Sequence, residues 1–310
     1  MGVVLGVDGG NSKTDLVLAS AEGEPLAYLR GPGSNSHAAG GSAGCVEVIA
    51  ALVGRLPFEP PAERAVFFLC GADLPHDIDE LTAEVVQRAL SGANLVDNDT
   101  FALLHAGTDR ADAIAVVCGS GINCVGRSAA GRVSRFPTLG WETGDWGGAE
   151  ALGRDALFAA NRAADGRGGP TALVGLIEEH FGKPVAAVGE DVHYRRLRDT
   201  RLGELGPGIV ELAADDAVAR ALVQRLVDEI VLLVERARRD LGVVDADVVL
   251  GGGMLAHRGR FFDLVAAALP PEVTPVVPDL PPVAGAVLAA LGGDAPAHFR
   301  AAFRGWEPHG

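Results

Sequence analysis

Hydrophobic residues recur along the chain with two different periods, and both halves of the sequence start with the shorter one. Short apolar runs bounded by glycine or polar residues predict strands, whereas apolar residues three and four positions apart predict helices. In the first half the predicted elements are strands at 3–8, 15–20 and 25–30, a helix ending at Leu52, a strand at 65–70, a helix at 78–90, a strand at 95–96 and a helix that begins at 99–105. A tight Gly-Gly turn at 9–12 joins the first two strands.

The second half repeats this opening pattern. A strand at 113–118, a glycine turn at 119–121, a strand at 123–127 and a polar turn at 129–131 follow in the same order. The remaining predicted elements are helices at 149–164, 171–181, 216–241, 260–269 and 283–291 and strands at 247–250 and 274–277, with the polar segment 183–208 left unassigned. The repeat indicates two related lobes, and the alternative is a chance recurrence of common glycine turns.

Length and composition agree with two folded lobes. The chain has 310 residues, of which 48% are hydrophobic and 22% charged, so it can bury a sizeable core. We expect an N-terminal lobe at 1–108, completed by a C-terminal helix at 283–310, and a C-terminal lobe at 109–282.

Charge, cysteine usage and the N-terminus disfavour several classes of protein. The formal net charge of −15 argues against binding to a nucleic-acid backbone, although backbone amides can still hold a single nucleotide. The N-terminus lacks the basic region and cleavage site of a signal peptide, and the long helix candidate carries several charges. The four cysteines (Cys45, Cys70, Cys118 and Cys124) form no CxxC pair, which favours reduced thiols over a zinc site. We therefore expect a cytoplasmic protein without nucleic-acid or membrane partners.

The motif DGGNSKTD at 8–15 places an acid at the end of a strand and before a glycine turn. Asp8 is a candidate Mg²⁺ ligand, because Mg²⁺ prefers one or two carboxylates together with phosphate oxygens. Glycines let a backbone approach phosphate closely. The candidate nucleotide-binding residues here are Asp8, Gly9, Gly10, Asn11, Ser12, Lys13 and Thr14. The motif matches neither the P-loop nor the dinucleotide fingerprint, and a plain hairpin is the alternative.

Two more glycine motifs follow strands in the second half. CGSGINC at 118–124 occupies the turn equivalent to the first motif, and VVLGGGM at 248–254 follows the long helix. The candidates are Gly119, Ser120, Gly121 and Asn123 for phosphate, and Gly251, Gly252 and Gly253 for a flat surface against adenine. An ordinary turn is the alternative for each motif, but two glycine turns at matching places in a repeat are a stronger signal than one.

The motif VDNDT at 96–100 brings two carboxylates to the end of a strand and the start of a helix. Asp97 or Asp99 could cap the helix, which is the commonest role of such residues. Asp99 could instead accept the proton of a substrate hydroxyl during phosphoryl transfer.

Two loops have residues that suit a sugar. GWETGDWGG at 140–148 combines tryptophans, which pack on sugar rings, with carboxylates, which pair with hydroxyls. The alternative is that its tryptophans only anchor the loop to the core. GPGSNSH at 31–37 offers Asn35 and His37 as further sugar contacts, with a flexible surface loop as the alternative.

Taken in this order, the motifs resemble those of the BadF/BadG/BcrA/BcrD-type ATPase family, which includes N-acetylglucosamine kinase. The resemblance covers most of the chain, and the segment DGRGGPTAL at 165–173 is similar to the family's interhelical loop. It implies an α/β fold with two ribonuclease-H-like lobes, the actin-like ATPase fold, and ATP in the cleft between the lobes. It also implies an ATP- and Mg²⁺-dependent phosphotransferase for a small-molecule amino sugar, with N-acetylglucosamine as the leading substrate. A homodimer is a further expectation.

The resemblance assigns roles to individual residues. It implies that Asp8 handles Mg²⁺, that 10–14 and 119–123 cradle phosphates, that 251–253 borders adenine and that Asp99 is the base. The residues implied to line the sugar site are Asn35, Trp141, Gly144 and Asp145, to which the sequence adds His37 and Asp99.

Departures from the family pattern leave other functions open. Glu142 and Trp146 stand where the family loop has different residues, so the identity of the sugar is uncertain. The cysteine cluster of the related repressor–kinase group is missing. One alternative is an ATPase that activates a partner enzyme through an iron–sulfur cluster, although every cysteine lies at or before Cys124. The other is a nucleotide-dependent sensor without transferase activity.

Overall fold

The structure is a computed structural model, and it describes residues 2–37, 40–255, 259–292 and 297–303. The chain divides into two compact units, the first formed by 1–115 with 278–310 and the second by 116–277. Each unit contains one five-stranded sheet. Within the described ranges, no helix is both long and apolar enough to cross a membrane.

The secondary structure alternates between strands and helices throughout the chain. The strands are β1 (Val3–Gly9), β2 (Lys13–Ser20), β3 (Pro25–Pro32), β4 (Ala62–Leu69), β5 (Ser91–Asn98), β6 (Ala113–Cys118), β7 (Ile122–Arg127), β8 (Val133–Arg135), β9 (Ala246–Gly251) and β10 (Val273–Val276). The helices are α1 (Gly41–Val53), α2 (Pro75–Gln87), α3 (Thr100–Gly107), α4 (Gly148–Ala164), α5 (Leu173–Phe181), α6 (Val185–His193), α7 (Gly206–Leu212), α8 (Ala217–Leu241), α9 (Arg260–Ala268), α10 (Pro282–Leu291) and α11 (Ala297–Phe303). Short 3-10 helices occupy Trp141–Thr143 and Asp199–Leu205.

The first sheet has the strand order β3-β2-β1-β4-β5. Strand β1 pairs antiparallel with β2 and parallel with β4, and β4 pairs parallel with β5. In this register Asp8 lies opposite Asp15 and next to Phe68 of β4. The carboxyl ends of three parallel strands therefore lie at one edge of the sheet, where Asp8 and Asn98 end their strands.

The side chains of β1 point alternately to the two faces of the first sheet, and different helices cover the two faces. Leu5 and Val7 are fully buried in a core shared with α1 and α2. Gly6 points to the opposite face, where a Cβ atom would lie 2.6 Å from the Val287 side chain of α10. A glycine at this position lets α10 pack directly on the central strand.

The second sheet repeats the topology of the first. Its strand order is β10-β9-β6-β7-β8. Read from the opposite edge, this order is β8-β7-β6-β9-β10, which matches β3-β2-β1-β4-β5 of the first sheet strand for strand. Helix α8 begins at a strong cap, because the Asp216 carboxylate accepts the amides of Val218 and Ala219 at 2.9 Å each. It ends at Gly242, whose φ of 61° is left-handed.

The structure confirms the predicted α/β class with two related sheets and differs from several of the predicted elements. Where the sequence predicts one C-terminal helix at 283–310, the described residues form two helices, α10 and α11. The segment 183–208 was left unassigned, and it contains α6, a 3-10 helix and the start of α7. Strand β5 is longer than the predicted 95–96, because Ala93 and Asn94 on one side and Asp97 and Asn98 on the other continue its pairing with β4.

Candidate active site

The first glycine turn (residues 9–14) is held in place through its backbone. The Gly10 amide donates to the Lys13 carbonyl over 2.9 Å and closes the turn. The Gly9 carbonyl accepts the amide of Cys70 at 2.7 Å, which ties the turn to the end of β4. Asn11, Ser12 and Lys13 are exposed at the tip. Of the predicted nucleotide-binding residues, only the tip of the turn is thus exposed, whereas Gly9 and Thr14 are buried beneath it.

The Asp15 carboxylate organises the charged side chains that follow this turn. It accepts hydrogen bonds from Lys13 Nζ at 2.6 Å, Tyr28 Oη at 2.6 Å and Arg30 Nε at 2.7 Å. Burial alone would raise the pKa of Asp15, but the hydrogen bonds from Arg30, Lys13 and Tyr28 keep the pKa below its usual value. Asp15 is therefore ionised and holds the Lys13 ammonium at the base of the turn.

Asp8 and Asp99 form an acidic pair at the carboxyl edge of the first sheet. Burial raises the pKa of Asp8 to about 7, and the charges of Asp99 and Asp15 add to the rise. Burial and the charge of Asp73 raise the pKa of Asp99 to about 6, while the amides of Thr100 and Asp99 limit the increase. Carboxylates with perturbed pKa values cluster at functional sites, so this pair is a functional-site candidate.

The raised pKa of Asp8 predicts that Asp8→Asn stabilises the ligand-free protein at alkaline pH. A group with a raised folded pKa loses its stabilising contribution as the pH rises from its unfolded value near 4 to about 7. The amide avoids this loss, so the free energy of unfolding should increase by about 1–4 kcal/mol at pH 8 and change little at pH 4. Denaturant unfolding at both pH values measures the effect, with the exposed Asp79→Asn in α2 as control. A destabilised Asp8→Asn protein at pH 8 would contradict the electrostatic account.

Asn98, rather than Asp97 or Asp99, supplies the cap of α3. Its Oδ1 accepts the Thr100 amide at 2.9 Å, and its Nδ2 donates to Asp73 Oδ1 at 2.7 Å. The Asp97 carboxylate accepts the Asn98 amide at 2.7 Å instead. Asp99, at the N-cap position, makes no side-chain capping hydrogen bond, although the amides of Thr100 and Asp99 lie close enough to its carboxylate to lower its pKa.

The serine loop (residues 31–37) lies against the first glycine turn. Asn35 Nδ2 donates to Asn11 Oδ1, and Asn35 Oδ1 accepts the His37 amide at 2.8 Å. The His37 side chain is exposed at the end of the loop. The structure thus brings the candidate sugar residue Asn35 beside the candidate phosphate-binding turn.

In the second unit, the second glycine turn (residues 119–121) lies between two other predicted motifs. The Met254 amide donates to the Cys118 carbonyl at 2.9 Å, which joins the glycine triplet (residues 251–253) to the strand before the turn. The Ala149 amide donates to the Gly119 carbonyl at 2.8 Å, so the start of α4 lies on the other side. Asn123 Oδ1 accepts the Cys124 amide at 2.7 Å and is only partly exposed.

Several glycines in these turns are not explained by the packing of the protein itself. A Cβ on Gly252 would lie 2.6 Å from the backbone of Cys118, so that glycine is needed for the fold. By contrast, a Cβ on Gly121 or Gly253 would have no neighbour within 4 Å among the described residues, and neither has a left-handed φ. Gly10 and Gly119 would meet nothing closer than 3.4 Å and 3.8 Å. The open space in front of these glycines suits the close approach of a ligand.

The tryptophan loop (residues 140–148) uses its two tryptophans differently. Trp141 is 78% exposed, whereas Trp146 is buried beneath Arg225, whose guanidinium carbon lies 3.7 Å from the ring centroid. Arg225 also pairs with Asp155 of α4 at 2.9 Å. Trp146 therefore anchors the loop, while Trp141 is free to contact a ligand.

Asp145 shapes the tip of the same loop. It accepts the Thr143 hydroxyl at 2.5 Å and the Gly140 amide at 3.3 Å. Gly144 ends the 3-10 helix with a left-handed φ of 83°. A cavity of about 350 Å³ opens here, and it is lined by Ser120, Gly121, Gly140, Trp141, Asp145 and Glu150, among others. Predicted phosphate and sugar residues thus share one cavity within the second unit.

Four residues in or beside these motifs were not predicted: Ser34, Asp73, Glu150 and Arg225. Ser34 lies inside the predicted motif GPGSNSH, so its position was a usable signal. Asp73 and Arg225 act on residues distant in sequence, and their contacts appear only in the fold.

All four cysteines are free thiols in buried or partly buried positions. Within the described residues, no group of three or more His, Cys, Asp or Glu could hold a metal ion.

The fold is shared with solved sugar kinases. A candidate N-acetylglucosamine kinase from Chromobacterium violaceum superposes with a TM-score of 0.70 at 21% identity, covering 94% of this chain and 99% of that one. A ROK family glucokinase from Streptomyces griseus, solved with glucose and AMPPNP, gives a TM-score of 0.58 at 20% identity, covering 93% and 98%. These similarities define the class of protein: an α/β chain with the actin-like ATPase fold.

The chain belongs to the BadF/BadG/BcrA/BcrD ATPase family, whose family model matches residues 5–290. Among characterised relatives, the N-acetylmuramic acid/N-acetylglucosamine kinase of Clostridium acetobutylicum is 29% identical over 181 residues, 57% of this chain and 59% of that kinase. The N-acetyl-D-glucosamine kinase of Dictyostelium discoideum is 23% identical over 285 residues, 85% of this chain and 89% of that one. The match to the Clostridium kinase therefore spans less than two thirds of its length. The family predicted from the sequence is confirmed.

Proposed function

We propose that this protein is an ATP-dependent kinase that transfers the γ-phosphoryl group to a hydroxyl of an amino sugar, with N-acetylglucosamine as the first candidate. The observation that carries the proposal is the Asp99 carboxylate, which starts α3 without capping it and has a pKa of about 6. A base of this strength is ionised at neutral pH and can still accept a proton in a transition state. The kinase names of both characterised relatives support an amino-sugar acceptor.

ATP is the phosphoryl donor in this proposal. The amides of the first glycine turn and of the second glycine turn would bind phosphate oxygens, and the glycine triplet would lie against adenine. The open space at Gly121 and Gly253 supports these roles, since nothing in the protein's own packing requires a glycine there. The AMPPNP complex of the Streptomyces griseus glucokinase shows an ATP analogue in a protein of the same fold.

The donor groups near Asp8 fit a Mg²⁺ ion. Mg²⁺ in kinases is usually bound by one or two carboxylates together with substrate phosphates and water, so a larger protein cluster is not needed. The carboxylate of Asp8 is buried beside other acids, and a divalent cation would offset that negative charge. Asp8 would hold the ion, which when bound would supply positive charge to the phosphate oxygens.

A homodimer and a cytoplasmic location stay predictions.

Asp99 would act on the acceptor hydroxyl during transfer. As the hydroxyl oxygen bonds to the γ-phosphorus, its proton moves to the Asp99 carboxylate, the bond from phosphorus to the β-phosphate oxygen breaks, and ADP leaves. The neighbouring Asp73 raises the basicity of Asp99 through its charge. Asn35, Trp141 and Asp145 would contact the sugar in this proposal.

The nucleotide proposal predicts that Gly121→Val weakens ATP binding without harming the fold. Valine fits the open space in the free protein but would occupy the volume proposed for phosphate, so the KM for ATP should rise by about 10- to 100-fold. Steady-state kinetics and a thermal unfolding curve measure the two effects. Gly169→Val is the matched control, because it also has open space and no left-handed φ. An unchanged KM for ATP in Gly121→Val would remove the second glycine turn from the nucleotide site.

The decisive experiment measures ATP consumption with a panel of acceptors. The panel contains N-acetylglucosamine, glucosamine, N-acetylmuramate, N-acetylmannosamine and glucose, with sugar-free reactions as controls. Stimulation by at least one amino sugar, with a phosphorylated product, is the expected result. Slow ATP hydrolysis that no sugar stimulates would count against the kinase and favour a sensor or activator.

A further inference from the structure

The side chain of Ser34 is buried where the serine loop meets the first glycine turn. Ser34 is fully buried, and its Oγ lies 2.8 Å from the Thr14 hydroxyl oxygen. Thr14 is also fully buried, and its hydroxyl donates to the Pro32 carbonyl at 2.8 Å. The thiol of Cys45 in α1 is within hydrogen-bonding reach of Ser34. The hydroxyl of Ser34 is thus surrounded by protein groups and faces no ligand directly.

Backbone contacts also join the serine loop to the first glycine turn, and this contact region is called the junction below. The Ser34 amide donates to the Gly10 carbonyl at 3.1 Å. A Cβ on Gly9 would lie 2.5 Å from Ser34 Oγ, and a Cβ on Gly33 would collide with the Asn11 carbonyl. Neither segment has room to shift against the other without breaking these contacts.

A second link lies on the solvent side of the junction. Asn35, the candidate sugar contact, donates to the side chain of Asn11 at the tip of the turn. Two consecutive residues of the serine loop therefore hold the turn from both sides, Ser34 from within the core and Asn35 from the surface. A displacement of the turn by a bound ligand would therefore be transmitted to the loop through these contacts.

We propose that Ser34 is a positioning residue that couples nucleotide binding at the first glycine turn to sugar binding at the serine loop. The inference rests on the proposed kinase function and adds that the two substrates bind cooperatively through one buried hydroxyl pair, Thr14 and Ser34. Cooperativity of this kind is reciprocal: each substrate must tighten the other by the same factor.

Binding measurements on the full chain test the coupling. The Kd of AMPPNP is measured by calorimetry with and without saturating N-acetylglucosamine, and the Kd of the sugar with and without AMPPNP. In the wild type each ligand should tighten the other by about 5-fold or more. In Ser34→Ala the factor should fall to about 1- to 2-fold, whereas each ligand alone should bind within about 3-fold of the wild type.

Ser36→Ala is the matched control for Ser34→Ala. Ser36 is a buried serine of the same loop, but its hydroxyl donates to the Gly71 carbonyl at 3.3 Å instead of contacting the turn. This variant should keep the wild-type coupling factor, and an equal loss in both variants would overturn the proposal. Thermal unfolding shows whether each variant is folded.

Thr14→Val provides a second variant if Ser34→Ala does not fold. It removes the other hydroxyl of the same pair, so it should reduce coupling by itself. Where both single variants fold, the double variant should lose no more coupling than either single one. Additive losses in the double variant would overturn this inference but not the proposed function. A wild type that phosphorylates the sugar but shows no coupling would have the same consequence. A wild type that binds neither AMPPNP nor any amino sugar would overturn the proposed function instead.

Discussion

Replacing Asp99 by asparagine should lower turnover by about two to four powers of ten, the usual contribution of a general base. The amide has nearly the same shape but cannot accept the proton of the acceptor hydroxyl. Asn98 supplies the cap of α3, so the helix should remain intact in the variant. The affinities for AMPPNP and for the sugar should change by no more than about 3-fold, because the loss falls on the chemical step.

Asp97→Asn is the matched control for this prediction. Asp97 lies two residues earlier, and its Oδ1 accepts the Asn98 amide, an interaction that asparagine can reproduce. The pH profile gives an independent readout: wild-type turnover should fall as the pH drops below about 6, where Asp99 gains a proton. Near-normal turnover in Asp99→Asn, or an equal loss in Asp97→Asn, would exclude Asp99 as the base.

Gly285→Ala should destabilise the protein by about 2–4 kcal/mol, as overpacking at a rigid contact does. A Cβ at this position would overlap the Ala102 carbonyl of α3 and lie 2.7 Å from the Ala106 amide. Both obstacles are backbone atoms, which cannot rotate away like a side chain. Urea unfolding measures the change.

Gly175→Ala in α5 is the opposite case and serves as the control. It is also a helical glycine, but its Cβ would have no neighbour within 4 Å among the described residues. Alanine there should stabilise the protein by about 0.5–1 kcal/mol, because it restricts the unfolded chain and favours the helix. The two Gly→Ala substitutions should therefore change the free energy of unfolding in opposite directions. Equal changes would contradict the close-packing explanation for Gly285.

The repeated hairpins could be predicted from the sequence because their signal is local. Each begins with an apolar strand that leads into a glycine turn, and the structure gives both sheets the same strand order. The helices of 183–208 lacked such a signal. In α6 only Val185 and Val188 are buried, too few to establish a helical period.

The candidate site was only partly predictable, because several of its contacts join distant parts of the chain. The motif VDNDT located the acids, but the sequence could not show that Asn98, and not an aspartate, caps α3. The sequence placed Trp141 at the sugar site and left open whether the tryptophans of the loop contact a sugar or only anchor the loop to the core. Whether a ring is buried or exposed depends on Arg225 of α8, which covers Trp146 and not Trp141.

The packing of α10 on β1 also bears on how the protein is made. The central strand β1 of the first unit is synthesised before the second unit, yet the helix that covers its Gly6 face follows the second unit, at 282–291. The second unit is continuous in sequence and can complete its own core while the ribosome is still translating. The first unit cannot bury Gly6 of its central strand until α10 emerges from the exit tunnel. Its nascent form is therefore the one expected to need a chaperone.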